Sequence, residues 1–173
     1  ARYMSKVDSR RAAKACREAI TLRPYEPVAY YNLGNALNNS GHPVEAAQRF
    51  LEAKDRYPVD SEDWARAMAK AFDTLRLKEC SEVAKPGWWN DEALKALSAR
   101  VVRVAPNDEG ANDMRAIVLS GQCGAWEAEP RSAAELKEAA AHYERAAALC
   151  DAPVVKAQHA GHATWCRSRA EAM

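Results

Sequence analysis

No apolar run in this 173-residue chain approaches the roughly 18 residues that a membrane-spanning helix needs. No polybasic stretch occurs either, and 25 Lys and Arg against 24 Asp and Glu leave a net charge of +1. Neither a nucleic acid nor direct membrane insertion is therefore implied. The five cysteines, Cys16, Cys80, Cys123, Cys150 and Cys166, form no CxxC pair and are odd in number, which argues against a disulfide framework. They read as free, mostly buried thiols of an intracellular, reducing compartment. One incidental disulfide, Cys80 with Cys123, stays open as an alternative because both residues fall near loop segments. Only two Phe are present and no alternating strand pattern stands out. No nucleophile–base constellation, Gly-rich phosphate loop or supported carboxylate pair appears, so the chain reads as no enzyme and calls for no cofactor. It opens Ala1-Arg2-Tyr3-Met4, which reads as a processed form or as the ordered part of a longer chain.

What is abundant is alanine at helical spacing, and it repeats. Pro24 and Pro58 lie 34 residues apart, and the stretches before them share small residues (Ala12-Ala13 and Ala46-Ala47), a glutamate (Glu18, Glu52) and the following alanine (Ala19, Ala53). A 34-residue period marks a helix–turn–helix solenoid, whose units bury their apolar faces only by stacking. Eight helices are predicted, over about 9–23, 28–39, 43–57, 61–75, 91–104, 109–120, 133–150 and 154–172. Gly41 suits a left-handed C′ position, and Pro43 suits the first turn of a helix. Asp60 or Ser61, Asn90 or Asp91, and Ser132 with Glu135 supply helix caps. From Pro58 to Pro106 is 48 residues, one period plus a 14-residue insert containing Trp88 and Trp89. A second insert carries Trp126.

Residues 27–60 resemble a tetratricopeptide repeat: Tyr30, Leu33, Gly34, Leu37, Ala46, Phe50, Ala53 and Pro58 occupy the positions of that pattern. Gly34 and Ala46 would let the two helices touch while Tyr30 and Phe50 fill the space around the crossing. The resemblance implies one all-α domain over 1–173, a right-handed solenoid of about three degenerate hairpins. Its parts are a partial repeat at 9–24, the best repeat at 27–60, repeats with inserts at 61–106 and 107–153, and a capping helix at 154–173. Departures include Met68 for a small residue and Asp151 for the usual proline. More loosely, the stretch from Trp88 to Leu97 resembles repeat proteins of eukaryotic algae.

In such arrays the first helix of each repeat lines a concave groove. Here its ligand-facing positions are Val28, Tyr31, Asn32, Asn35, Asn38 and Asn39. Carboxamides carry both a donor and an acceptor, which suits the N–H and C=O of an extended peptide, but the same residues also suit a solvated face. A clamp for a terminal carboxylate is disfavoured, since Tyr31, Arg66, Gly110 and Asp113 stand where that subfamily has Lys, Asn, Lys and Arg. Arg66 alone remains available to an acidic group. Trp88 and Trp89 either anchor a protein interface or fold back on the array. The function implied is a non-catalytic scaffold for a protein or peptide partner. The alternative is a built-in subunit of a larger assembly docking through its inserts, which the algal resemblance places in an organelle such as a plastid, in a photosynthetic complex. A remote alternative is a metal-responsive cap, because His159, His162 and Cys166 share one helix face at ligand spacing, with His142 as a possible fourth ligand.

Overall fold

The computed structural model describes residues 6–173; the reading of Ala1 to Met4 lies outside them. Among the described residues there are eight α-helices and no strand: α1 (Lys6–Leu22), α2 (Pro27–Asn39), α3 (Pro43–Arg56), α4 (Glu62–Leu75), α5 (Asp91–Val104), α6 (Glu109–Ser120), α7 (Ala133–Leu149) and α8 (Pro153–Glu171). A 3₁₀ turn at Lys78–Cys80 follows α4. The chain divides into two compact units, residues 1–84 and 85–173. The division falls within the first insert, so the 61–106 repeat places one helix in each unit.

The helix ends follow local chemistry. Pro27, Pro43 and Pro153 each occupy the first turn, where a missing N–H leaves nothing unsatisfied. Ser61 caps α4 by accepting from the Trp64 N–H, Asn90 caps α5 and Asp108 caps α6. Ser132 and Glu135 form the reciprocal capping box of α7. Gly41 adopts φ +85° after α2, and Gly121 φ +67° after α6, the left-handed conformation that ends a helix cheaply only in glycine.

In the first unit α2 packs against α1 and α3, and α3 against α4. Ser9, Ala13, Cys16 and Ile20 turn toward α2 from one side of α1 at helical spacing. The core between α2 and α3 is Leu33, Leu37, Ala46 and Phe50, all at most 3% exposed. The turn before α2 is pinned by Tyr30, whose hydroxyl donates to the Pro24 carbonyl at 2.9 Å. Arg56 donates to the same carbonyl and lays its guanidinium 3.9 Å over the Tyr30 ring. In the second unit α6 packs on α5 and α7, and α7 on α8. Met114, Val118, Ala139, Tyr143 and Ala146 are buried there. The last helix buries His159, Ala163, Cys166 and Ala170, half-buries Val155 and exposes the rest.

Gly34 is where α2 meets α3. A Cβ at this position would sit 2.7 Å from Cε1 of Phe50, a ring that is fully buried and has nowhere to go. Gly161 in α8 faces open space instead. Gly34→Ala should therefore destabilise the first unit by about 1–3 kcal/mol through overpacking. Gly161→Ala should stabilise its helix by roughly 0.5–1 kcal/mol through propensity alone. Urea unfolding of the two variants should give shifts of opposite sign.

Candidate functional site

Helix α2 buries Ala29, Tyr30, Leu33, Gly34, Ala36 and Leu37, which leaves the opposite side for Val28, Asn32, Asn38 and Asn39, all exposed, with Tyr31 and Asn35 half-buried. Among the described residues none of the four carboxamides on this helix has a hydrogen-bond partner. Asparagine is a mediocre helix former, so four of them within one 13-residue helix gain nothing locally. Tyr31 leans edge-on against Phe50, ring centroids 5.6 Å apart. Beside it Tyr57 is half-buried. Burial first, then Asp63, Tyr31 and Glu26, push its phenol pKa above the ordinary value, with Arg66 pulling the other way. Tyr31, Tyr57, Asp63 and Arg66 thus share one electrostatic neighbourhood. Arg66 bonds Glu62 and Asp63 of its own helix at 3.2 and 3.3 Å. These exposed pairs hold it weakly.

Trp88 and Trp89 belong to the second unit. Their rings lie 5.6 Å apart, and Trp89 meets Trp126 of the second insert edge-on at 6.2 Å. The Trp89 indole N–H donates to the Ala125 carbonyl at 3.0 Å, so this residue folds back and ties one insert to the other. The Trp126 N–H donates to Asp91 Oδ1 at 2.9 Å. Asp91 in turn receives two bonds from Arg131, at 2.7 and 2.5 Å. Both side chains of this ion pair are less than 10% exposed. Arg131 also donates to the Val118 carbonyl at 2.9 Å, and Lys95 bridges Asp91 and Glu135. The Arg131 bonds and charge hold the Asp91 carboxyl far below the usual carboxylate range. The Lys95 bond lowers Glu135 to about 2. Sequence reasoning missed this network. Asp91 and Arg131 are 40 positions apart, and the only hint was that each adjoins a helix cap.

The residues behind the metal reading of α8 have other partners. Among the described residues no group of three metal-ligating side chains converges. His159 is instead buried between Asp113, 3.3 Å from Nδ1, and Glu109, 3.4 Å from Nε2. His162 stacks on Tyr143 at 5.2 Å. Burial pushes the Cys166 thiol up to about 11, away from the thiolate a metal needs, and His142 pairs with Asn112 at 3.0 Å. The Cys80–Cys123 pairing is also corrected: none of the five cysteines forms a disulfide, and Cys80 is fully buried as the last residue of the 3₁₀ turn.

No protein-family model and no curated protein matches the sequence. Among solved structures, the chain is similar to MamA, a tetratricopeptide-type helical protein, with a TM-score of 0.56 at 15% identity over 96% of this chain and 84% of that one. The fold is tetratricopeptide-like. None of its described helices is long and apolar enough to cross a membrane.

Two tests follow from this geometry. Asp91→Ala strands a buried guanidinium and should cost the second unit about 3–5 kcal/mol in urea unfolding. His159 gains a pKa above its ordinary 6.5, first from Asp113 and then from Glu109, against burial. A raised folded pKa gives stability that is complete below the unfolded value and fades as pH climbs through the folded one. The stability difference between the wild type and His159→Gln should therefore shrink as pH rises above 6.5. A difference that grows with pH contradicts the assigned ion pairs.

Proposed function

We propose that this chain is a non-catalytic interaction scaffold that holds an extended peptide, or an extended segment of a protein, along the exposed side of α2. The observation that carries this reading is the set of four carboxamides without partners among the described residues, beside Tyr31, Tyr57 and Arg66. A helix rises about 1.5 Å per residue, so Asn32 and Asn39 stand roughly 10 Å apart along the axis. That span matches about three residues of extended chain. Amides spaced in this way can take successive N–H and C=O groups of a peptide backbone, with Tyr31 offering an apolar edge and Arg66 a cation for an acidic side chain. Asn35 and Asn38 widen the set of donors on one flank of the stripe.

A second reading, that the chain is a built-in subunit of a larger assembly, is favoured by one residue. Trp88 is half-buried, and among the described residues its N–H has no partner, unlike those of Trp89 and Trp126. An indole with a half-covered ring and an unspent donor suits an interface anchor.

The two readings separate by experiment. Asn32→Ala with Asn35→Ala should weaken peptide-type companions by about tenfold or more, at about 0.5–1.5 kcal/mol for each lost bond, with unchanged circular dichroism. The check is affinity purification from the native cell extract with quantitative mass spectrometry. Companions retained by the double variant but lost by Trp88→Ser would reject the groove and favour the subunit reading.

A further inference from the structure

The second unit carries an open cleft of about 670 Å³, lined by Trp89, Asn90, Glu92, Trp126, Glu127 and Glu129 among others. The two indoles form its aromatic corner, with ring planes 84° apart. Each is fixed from behind by its own N–H, Trp89 to the Ala125 carbonyl and Trp126 to Asp91. The corner is thus set before any ligand arrives, which lowers the ordering cost of binding. Asp91 also borders the cleft, but Arg131 and Lys95 neutralise it. The other three carboxylates are different. Glu92 and Glu127 are exposed with no cation within ion-pair distance among the described residues, and Glu129, also exposed, meets the charge of Arg131 only beyond that distance. The Trp89 ring is already a cation acceptor within this chain, for the Lys85 ammonium lies 5.3 Å from its centroid.

We propose that this cleft is a docking site for an arginine side chain of a basic peptide segment in a partner protein. Charge complementarity selects a cation, and the aromatic corner selects the kind. A guanidinium is planar and weakly hydrated, so it stacks on an indole face while its N–H groups reach carboxylates at the rim. An ammonium is more strongly hydrated and offers no plane to stack. The site uses residues of the second unit alone and does not rest on the peptide groove of α2.

The probe is acetyl-Gly-Arg-Gly-Arg-Gly-amide, with otherwise identical lysine and glutamate peptides as comparators, titrated against the full chain while the indole N–H resonances are followed by NMR. The arginine peptide should shift the Trp89 and Trp126 resonances and bind more tightly than the lysine peptide, and the glutamate peptide should leave them in place. Neutralising the rim in a Glu92→Gln, Glu127→Gln, Glu129→Gln variant should weaken binding by about tenfold. These side chains are exposed, so the unfolding midpoint should hold. A control with Glu18→Gln, Glu79→Gln and Glu171→Gln, also exposed, should bind like the wild type. Resonances unmoved at millimolar arginine peptide overturn the proposal. So does an equal loss in the control, which would reduce the effect to bulk charge, and so does equal binding of the lysine peptide.

Discussion

At the points where neighbouring helices cross, this chain can afford almost no side chain. Ala46, Ala53, Ala67 and Ala71 in the first unit, and Ala111, Ala116, Ala139 and Ala146 in the second, show no measurable exposure. Gly34 lacks even the space for a methyl group. Close approach of the backbones is what lets a few large residues close the interior. Phe50 fills the crossing of α2 and α3, and Tyr143 that of α7 and α8. With only two Phe in the chain, apolar area per residue is modest. Packing must come from fit more than from bulk. The same constraint decides which faces remain outside. A helix that spends one side on small residues against a neighbour has its other side left for chemistry, and on α2 that side is asparagine.

The inserts solve a different problem. A loop of this length has backbone groups and bulky indoles that no helix satisfies. The second unit answers with one buried charge pair. Asp91 at the start of α5 takes two bonds from Arg131 and one from Trp126, while Arg131 reaches back to the Val118 carbonyl near the end of α6. An ion pair of this kind contributes little net stability over an apolar substitute, but it tolerates no missing member. It therefore acts as a register device, in which the two inserts meet in one arrangement because any other strands a charge. The half-exposed indoles are held in place by that arrangement, and the cleft they border inherits its fixed shape.

The helices were legible because their signals are local. Prolines in first turns, Ser61 and Ser132 as caps and Gly41 as a stop each act within four residues, and all recur in the structure. The small residue at position 34 was legible for a different reason, because it falls on the small position of the tetratricopeptide pattern that residues 27–60 resemble. What stayed hidden was long-range and polar. Nothing in the sequence couples Asp91 to Arg131, since an ion pair across two inserts has no period. The spacing of His159, His162 and Cys166 misled because a shared helix face says nothing of what packs on it. Here Tyr143, Asp113 and Glu109 claim the two imidazoles and the interior claims the thiol. The groove residues fall in between. Their side of α2 was what the tetratricopeptide resemblance implied, but that Tyr31 would rest on Phe50 and adjoin Tyr57 depended on α3 and α4.

The two proposed surfaces differ in what they can read. A row of carboxamides is uncharged and matches peptide backbone, which every protein has. Alone it confers affinity for extended chain with little preference for sequence. Preference has to come from the edges, the phenols of Tyr31 and Tyr57 and the guanidinium of Arg66. The indole cleft works the other way. It ignores backbone and selects one charged, planar side chain, through forces that salt screens within about 10 Å. A partner engaging both would meet a salt-tolerant contact in one unit and a salt-sensitive one in the other. Raising ionic strength would then release the arginine contact first.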